Sequence, residues 1–261
     1  MLDALQPPVR GLILDMDGVL WRGNQPLGNL PAIFKRIDQL GLRVVLATNN
    51  ATRSSQQYVE RLAAFGVQIA PWQVIHSGQA AAYMLHLLYP QGGPVYVIGE
   101  PGLVTSLSEY GFTPSENGVC AVVAGLDRGF TYEKLRHASD LIRAGTIFIG
   151  TNPDVTFPAP DGITPGAGSI LAAIQAASGV APRIAGKPEP AMFDLAVERL
   201  QLPKEQVLAV GDRLDTDILG GKRGGIRTAL VLTGVTTQEE AETCSPPPDL
   251  IAPSLSALLG M

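Results

Sequence analysis

The sequence is poor in the residues that mark secreted, membrane-spanning and nucleic-acid-binding chains. Only two cysteines occur in 261 residues. Cys120 and Cys244 stand far apart and form no CxxC, which argues against a disulfide framework. The three histidines, His76, His86 and His137, lack zinc-site spacing and read as surface or helix-face side chains. No stretch approaches the roughly 18 apolar residues of a membrane span. The first residues, Met-Leu-Asp-Ala-Leu-Gln-Pro-Pro, lack the basic start and apolar run of a signal peptide, so a cytoplasmic location is expected. Charge is sparse as well, at 16% of residues, with 24 acidic against 19 basic side chains and a net charge of -5. Without a Lys/Arg cluster there is no counterion-releasing track for DNA or RNA. A small phosphorylated metabolite needs only one or two well-placed cations and stays open as a partner.

What is present is a chain 46% hydrophobic, suited to a compact core and long enough for one large domain or two smaller ones. Strand-like apolar runs alternate with helix-like segments. Leu12 to Leu14, Arg43 to Ala47, Val74 to Gly78, Val207 to Val210 and Thr228 to Leu232 read as strands. Helices are expected from Pro31, with Ile33, Phe34, Ile37 and Leu40 on one face; after Ser54 or Ser55, with Tyr58, Leu62 and Phe65; and from Pro190, with Phe193, Val197 and Leu200. This alternation predicts an α/β fold with a Rossmann-like parallel sheet core. Residues 80–180 carry strands and helices of their own, and Gly92-Gly93-Pro94 and Gly179 to Pro182 resemble hinges. The expected organisation is therefore a core domain of residues 1–79 and 181–261 with an inserted α/β domain at 80–180.

The chemistry concentrates in four stations. Asp15 and Asp17, in Gly11-Leu-Ile-Leu-Asp-Met-Asp-Gly-Val-Leu20, project the same way from the end of an extended run. Gly18 then lets the chain turn and its backbone N–H groups approach an anion. Taken alone, such a pair also fits an Asx-turn or a helix cap. Thr48-Asn49-Asn50 closes the second strand and offers donors to phosphate oxygens, or forms an ordinary helix-entry turn. Lys187, in Gly186-Lys-Pro-Glu-Pro190, could bridge a nucleophile and a phosphate, or be a solvated lysine. Gly211-Asp-Arg-Leu-Asp-Thr-Asp217 ends a strand in three acids. Asp212 could complete an oxygen-ligand set for magnesium with Asp15 and the backbone carbonyl of Asp17. Asp215 and Asp217 could equally cap a helix at Ile218, and one of them is expected to do so. Together the stations suit hydrolysis of a phosphomonoester, with Asp15 attacking phosphorus and Asp17 as acid and base.

The order Asp-Met-Asp-Gly-Val-Leu, Thr-Asn-Asn, Gly-Lys-Pro-Glu and Gly-Asp-Arg-Leu-Asp-Thr-Asp resembles the four motifs of the haloacid dehalogenase (HAD) superfamily. The insert between the second and third motifs, with Thr151-Asn-Pro-Asp154 and Pro165-Gly-Ala-Gly-Ser169, resembles the NagD-like, 4-nitrophenylphosphatase-like branch with its C2-type cap. The resemblance implies Asp15 as nucleophile, Asp17 as acid/base, and Thr48, Asn49 and Lys187 as phosphate-holders. It further implies a Mg2+ site at Asp15, Asp17 and Asp212, a supporting role for Asp217, and a homodimer formed through the cap. The expected activity is hydrolysis of a small phosphomonoester of the sugar phosphate, phosphoglycolate, nucleotide or pyridoxal phosphate class. A phosphotransferase or mutase would share the catalytic residues, and a non-catalytic phosphometabolite-binding module is the reading from another class. Thr151 to Pro158, with Asp154 and Phe157, is the candidate cap loop facing the substrate, or a strand-to-helix connection with a capping aspartate.

Overall fold

The computed structural model describes residues 1–159 and 162–261. The chain divides into two compact units, one of Met1–Thr48, Ser55–Ile75 and Lys187–Met261, the other of Asn49–Ser54 and His76–Gly186. The two glycine stretches expected at hinges lie inside the second unit. There Gly92, at φ +73, precedes the strand Gly93–Ile98, and Gly179, at φ +78, is the left-handed cap of the helix Ala167–Ser178.

The first unit is built on a six-stranded sheet. Its strands lie side by side in the order Val74–His76, Arg43–Thr48, Gly11–Leu14, Val207–Gly211, Arg227–Val231 and Leu250–Ala252. Pairings from Arg43–Thr48 across to Leu250–Ala252 are parallel. Numbered along the chain the order is 3-2-1-4-5-6, that of a doubly wound α/β sheet. The order reverses between Gly11–Leu14 and Val207–Gly211, and ligands of such sheets bind beyond the strand ends at that point. Leu14 is level with Val210 on one side and Leu46 on the other. The residues that follow, Asp15, Gly211-Asp212 and Ala47-Thr48, therefore emerge together.

The strands read as unbroken apolar runs because both faces are covered: all four residues of Gly11–Leu14 and all five of Val207–Gly211 are buried. Helix Leu30–Gln39 begins at Asn29, whose side chain accepts from Ala32 N at 3.1 Å, and buries Leu30, Ile33 and Ile37. Helices Ser55–Ala64 and Ala191–Leu200 bury Tyr58 and Leu62, and Phe193, Leu195 and Leu200. A small hairpin, Trp21–Arg22 with Gln25–Pro26, follows the first strand without having been signalled by alternation in the sequence.

The second unit holds a five-stranded parallel sheet ordered Arg183–Ile184, Ile147–Gly150, Ala121–Ala124, Gly93–Ile98 and Phe112–Pro114. Its own core includes Ile98, Val122, Phe148 and Ile174. An antiparallel hairpin, Thr156–Ala159 with Gly162–Pro165, occupies part of the segment read as a loop, so Phe157 lies on a strand. Among the described residues no helix is long and apolar enough to cross a membrane.

Candidate active site

Three carboxylates meet at the switch point of the first unit. Asp15 follows the central strand, Asp212 follows its neighbour, and Asp217 comes back from the π-helical turn Leu214–Ile218. One oxygen of each lies within 4.8 Å of the others. Lys187 enters this group from the start of the last segment of the unit. Its Nζ donates to Asp15 Oδ1 at 2.5 Å, to Asp217 Oδ1 at 2.6 Å and to the carbonyl of Ala47 at 3.1 Å.

Glycine makes the crowding feasible. A Cβ on Gly211 would lie 2.2 Å from Asp217 Cβ, and one on Gly234 would lie 1.7 Å from Asp212 Oδ2. At Gly18 a Cβ would meet the same oxygen at 2.4 Å, and the backbone there has φ +85, a conformation that favours glycine. Asp212 is thus gripped between two glycine backbones.

The electrostatics follow from burial. Lys187 and Asp212 are only 3% and 2% exposed. Burial alone would lower the Lys187 pKa, but Asp15 and Asp217 outweigh it and hold the ammonium protonated. Asp15 is pushed well above the ordinary carboxylate value, first by burial and then by Asp217 and Asp212, with Lys187 opposing. Asp212 is pushed up to about 6 by burial and by Asp217, against the Val235 N–H and Lys187. Val235 N donates to Asp212 Oδ2 at 2.7 Å, while the buried Oδ1 has no hydrogen-bond partner among the described residues. When all three carboxylates are ionised, they leave two negative charges against the one ammonium, which one divalent cation would cancel. The all-oxygen donor set, the partnerless Asp212 Oδ1 and the small-residue cradle fit a hard cation such as magnesium.

Asp17 stands apart from this triad. Its side chain is exposed, and Oδ1 accepts from the Trp21 indole at 2.9 Å. Any share of Asp17 in a cation site therefore falls to its backbone carbonyl. Thr48 is buried at the end of the neighbouring strand. Of the acids after Gly211, Asp217 faces Lys187 and also accepts from Arg213 N, whereas Asp215 is exposed and paired with both ends of the Arg213 guanidinium. The expectation that one of them caps the helix at Ile218 is corrected: no side chain caps Leu219–Arg223 there, because each carboxylate already has nearer donors. The sequence reading missed Trp21, Gly234 and Val235, which carry no motif and meet the acids only through the fold.

The remaining candidates belong to the second unit. Asn49 donates from Nδ2 to Asp154 Oδ2 at 3.2 Å, and its carbonyl accepts from Ser77 Oγ at 2.5 Å and Asn152 Nδ2 at 2.8 Å. Asn50 makes an Asx-turn, accepting from Thr52 N and Oγ1. Asp154 and Phe157 line a cavity of this unit together with Asn49, Asn50, Asn152 and Glu100.

Known proteins match this arrangement. Residues 12–113 match the family model of haloacid dehalogenase-like hydrolases, and residues 184–258 match a second HAD-hydrolase-like model. The acid sugar phosphatase of Staphylococcus aureus is 36% identical over 240 residues, 92% of each chain. The crystal structure of 4-nitrophenylphosphatase from Thermotoga maritima superposes with a TM-score of 0.90 at 36% identity, covering 97% of both chains. Glycerol phosphate phosphatase from Mycobacterium tuberculosis, solved in complex with magnesium, gives 0.88 at 35% identity over 96% of this chain and 76% of that one. The chain belongs to the haloacid dehalogenase-like hydrolases, in their NagD-like phosphatase branch. It is a phosphoric monoester hydrolase.

Proposed function

We propose that the protein hydrolyses small phosphomonoesters with magnesium, through an aspartyl-phosphate formed on Asp15. The observation that carries this reading is the Asp15 carboxylate at the sheet's switch point, bonded to a buried ammonium and grouped with Asp212 and Asp217. A carboxylate oxygen of Asp15 forms a bond to phosphorus as the bond from phosphorus to the ester oxygen breaks. Asp17 gives its proton to the departing oxygen, then takes one from water, whose oxygen attacks phosphorus and releases Asp15 and inorganic phosphate. Lys187 offsets charge on the nucleophile and on the incoming phosphate, and Thr48 lies one strand away as a donor to phosphate oxygens. Magnesium, when bound by Asp15, Asp212 and the Asp17 carbonyl with Asp217 in support, would supply neutralisation of phosphate charge and polarisation of a phosphate oxygen.

Sugar and polyol phosphates head the substrate class. The names of the relatives in Staphylococcus aureus and Mycobacterium tuberculosis support this choice. Phosphoglycolate, nucleotides and pyridoxal phosphate remain in the class to be assayed. The test is phosphate release from a panel of these esters with magnesium, in the presence and absence of an acceptor alcohol. Asp15→Asn is expected to abolish turnover. An Asp15→Asn protein that turns over like the wild type would overturn the reading, and acceptor-dependent transfer without phosphate release would make the protein a phosphotransferase.

A further inference from the structure

We propose that Trp21 is a positioning residue for the acid/base step, its indole N–H fixing the orientation of the Asp17 carboxylate. The inference rests on the reading of Asp17 as acid and base. Asp17 is exposed, so its rotamer during the proton transfers depends on the hydrogen bonds that its carboxylate receives. Trp21, by contrast, is fully buried, and its Nε1 donates to Asp17 Oδ1 at 2.9 Å. The backbone closes the same short loop. Gly18 N donates to Trp21 O at 2.7 Å, Trp21 N donates to Met16 O at 3.2 Å, and Asp17 and Trp21 form an isolated bridge.

The indole is in turn held from the helix Ser55–Ala64 and the residue that follows it. The Arg61 guanidinium carbon lies 4.2 Å from the ring centroid, and the same guanidinium donates to Gly23 O at the hairpin turn. Phe65, one helical turn on from Arg61, packs against the ring at 6.2 Å between centroids. A buried indole N–H needs an acceptor in any fold, and a backbone carbonyl would serve. Here the acceptor is the exposed acid itself.

Trp21→Phe keeps an aromatic ring for Arg61 and Phe65 while removing the donor. Its kcat/KM is measured with an alkyl phosphate, whose departing alkoxide needs a proton, and with 4-nitrophenyl phosphate, whose phenolate leaves without one. A hydrogen bond to a charged group is worth about 1.5–3 kcal/mol, so kcat/KM for the alkyl ester is expected to fall about tenfold to hundredfold. The 4-nitrophenyl ester should change far less. Asp17→Asn serves as the reference and should show the same selectivity, more strongly.

If Asp17→Asn lowers both esters equally, the acid/base reading itself fails. If Asp17→Asn is selective but Trp21→Phe is not, only the positioning role of Trp21 is overturned. Should Trp21→Phe fail to fold, benzothienylalanine can replace tryptophan in a Trp72→Phe background, preserving the shape of the ring and deleting the N–H. Trp72 is half exposed. A selective loss in that protein supports the proposal, and equal activity on both esters overturns it.

Discussion

In the metal-free protein, Asp212→Asn is expected to raise stability while it removes activity. Asp212 is 2% exposed and its pKa is lifted to about 6, by burial first and by Asp217 next. In the unfolded chain an aspartate titrates near about 3.9. Between these values the native state binds more protons than the unfolded one, so stability falls as pH rises through that window. Above the folded pKa the penalty is complete, and about two pKa units correspond to about 3 kcal/mol. Asparagine keeps an oxygen for the Val235 N–H and places an NH2 toward carboxylates that lie within 4.8 Å. Urea unfolding in EDTA at pH 8 should therefore show Asp212→Asn more stable than wild type by about 2–3 kcal/mol, the gain shrinking towards pH 4. Added magnesium should stabilise the wild type by mass action and the variant much less. A variant no more stable than wild type at pH 8, or equally favoured at pH 8 and pH 4, would refute the reasoning.

Gly234→Ala places a methyl 1.7 Å from Asp212 Oδ2, so either the carboxylate or the Val235 N–H must shift. Overpacking of this kind typically costs about 1–3 kcal/mol. The magnesium dependence of turnover should move to higher concentration, whereas Gly41→Ala, at φ +63 with nothing within 4 Å, should lose about 1 kcal/mol and keep the wild-type magnesium response. An unchanged magnesium response in Gly234→Ala would count against the cradle. Lys187→Met removes the cation from the buried Asp217 and the largely buried Asp15 and should destabilise the metal-free protein at pH 8 by about 3–5 kcal/mol, read from thermal unfolding. Wild-type stability in that variant would contradict the charge argument.

The residues that the sequence exposed and those that it hid differ in kind. Asp15, Thr48 and Asp212 could be read because each follows an apolar run, and parallel strands bring their carboxyl ends to one edge. Lys187 was legible only from its company, since nothing local distinguishes a lysine that will be 3% exposed from a solvated one. Trp21, Gly234 and Val235 were not legible. Val235 meets Asp212 across 23 residues, and Gly234 matters for the atom that it lacks. The Trp21–Arg22 and Gln25–Pro26 strands are two residues each, too short for alternation to show. Asp215 and Asp217 share one residue type and one local pattern, so only the nearer donor could separate them: Arg213 for one, Lys187 for the other.

A chain in which only 16% of residues are charged gathers three carboxylates, two of them buried, and one buried ammonium at a single strand edge, and this concentration has a direction. Uncompensated buried charge destabilises the fold, and hydrophobic replacements of similar volume would relieve it. Burial first, and then the excess negative charge, raises Asp15 and Asp212, and that same excess sets the affinity for a small divalent cation, because the group recovers most when that charge is neutralised in place. Lys187 limits the excess without removing it, since its ammonium serves Asp15 and Asp217 but donates no hydrogen bond to Asp212 Oδ1. Glycine at 18, 211 and 234 then keeps side chains out of the space that the acids surround. Stability withheld from the metal-free protein is thereby linked to cation binding, which makes the stability of Asp212→Asn with and without magnesium a direct reading of how far the fold is strained for its chemistry.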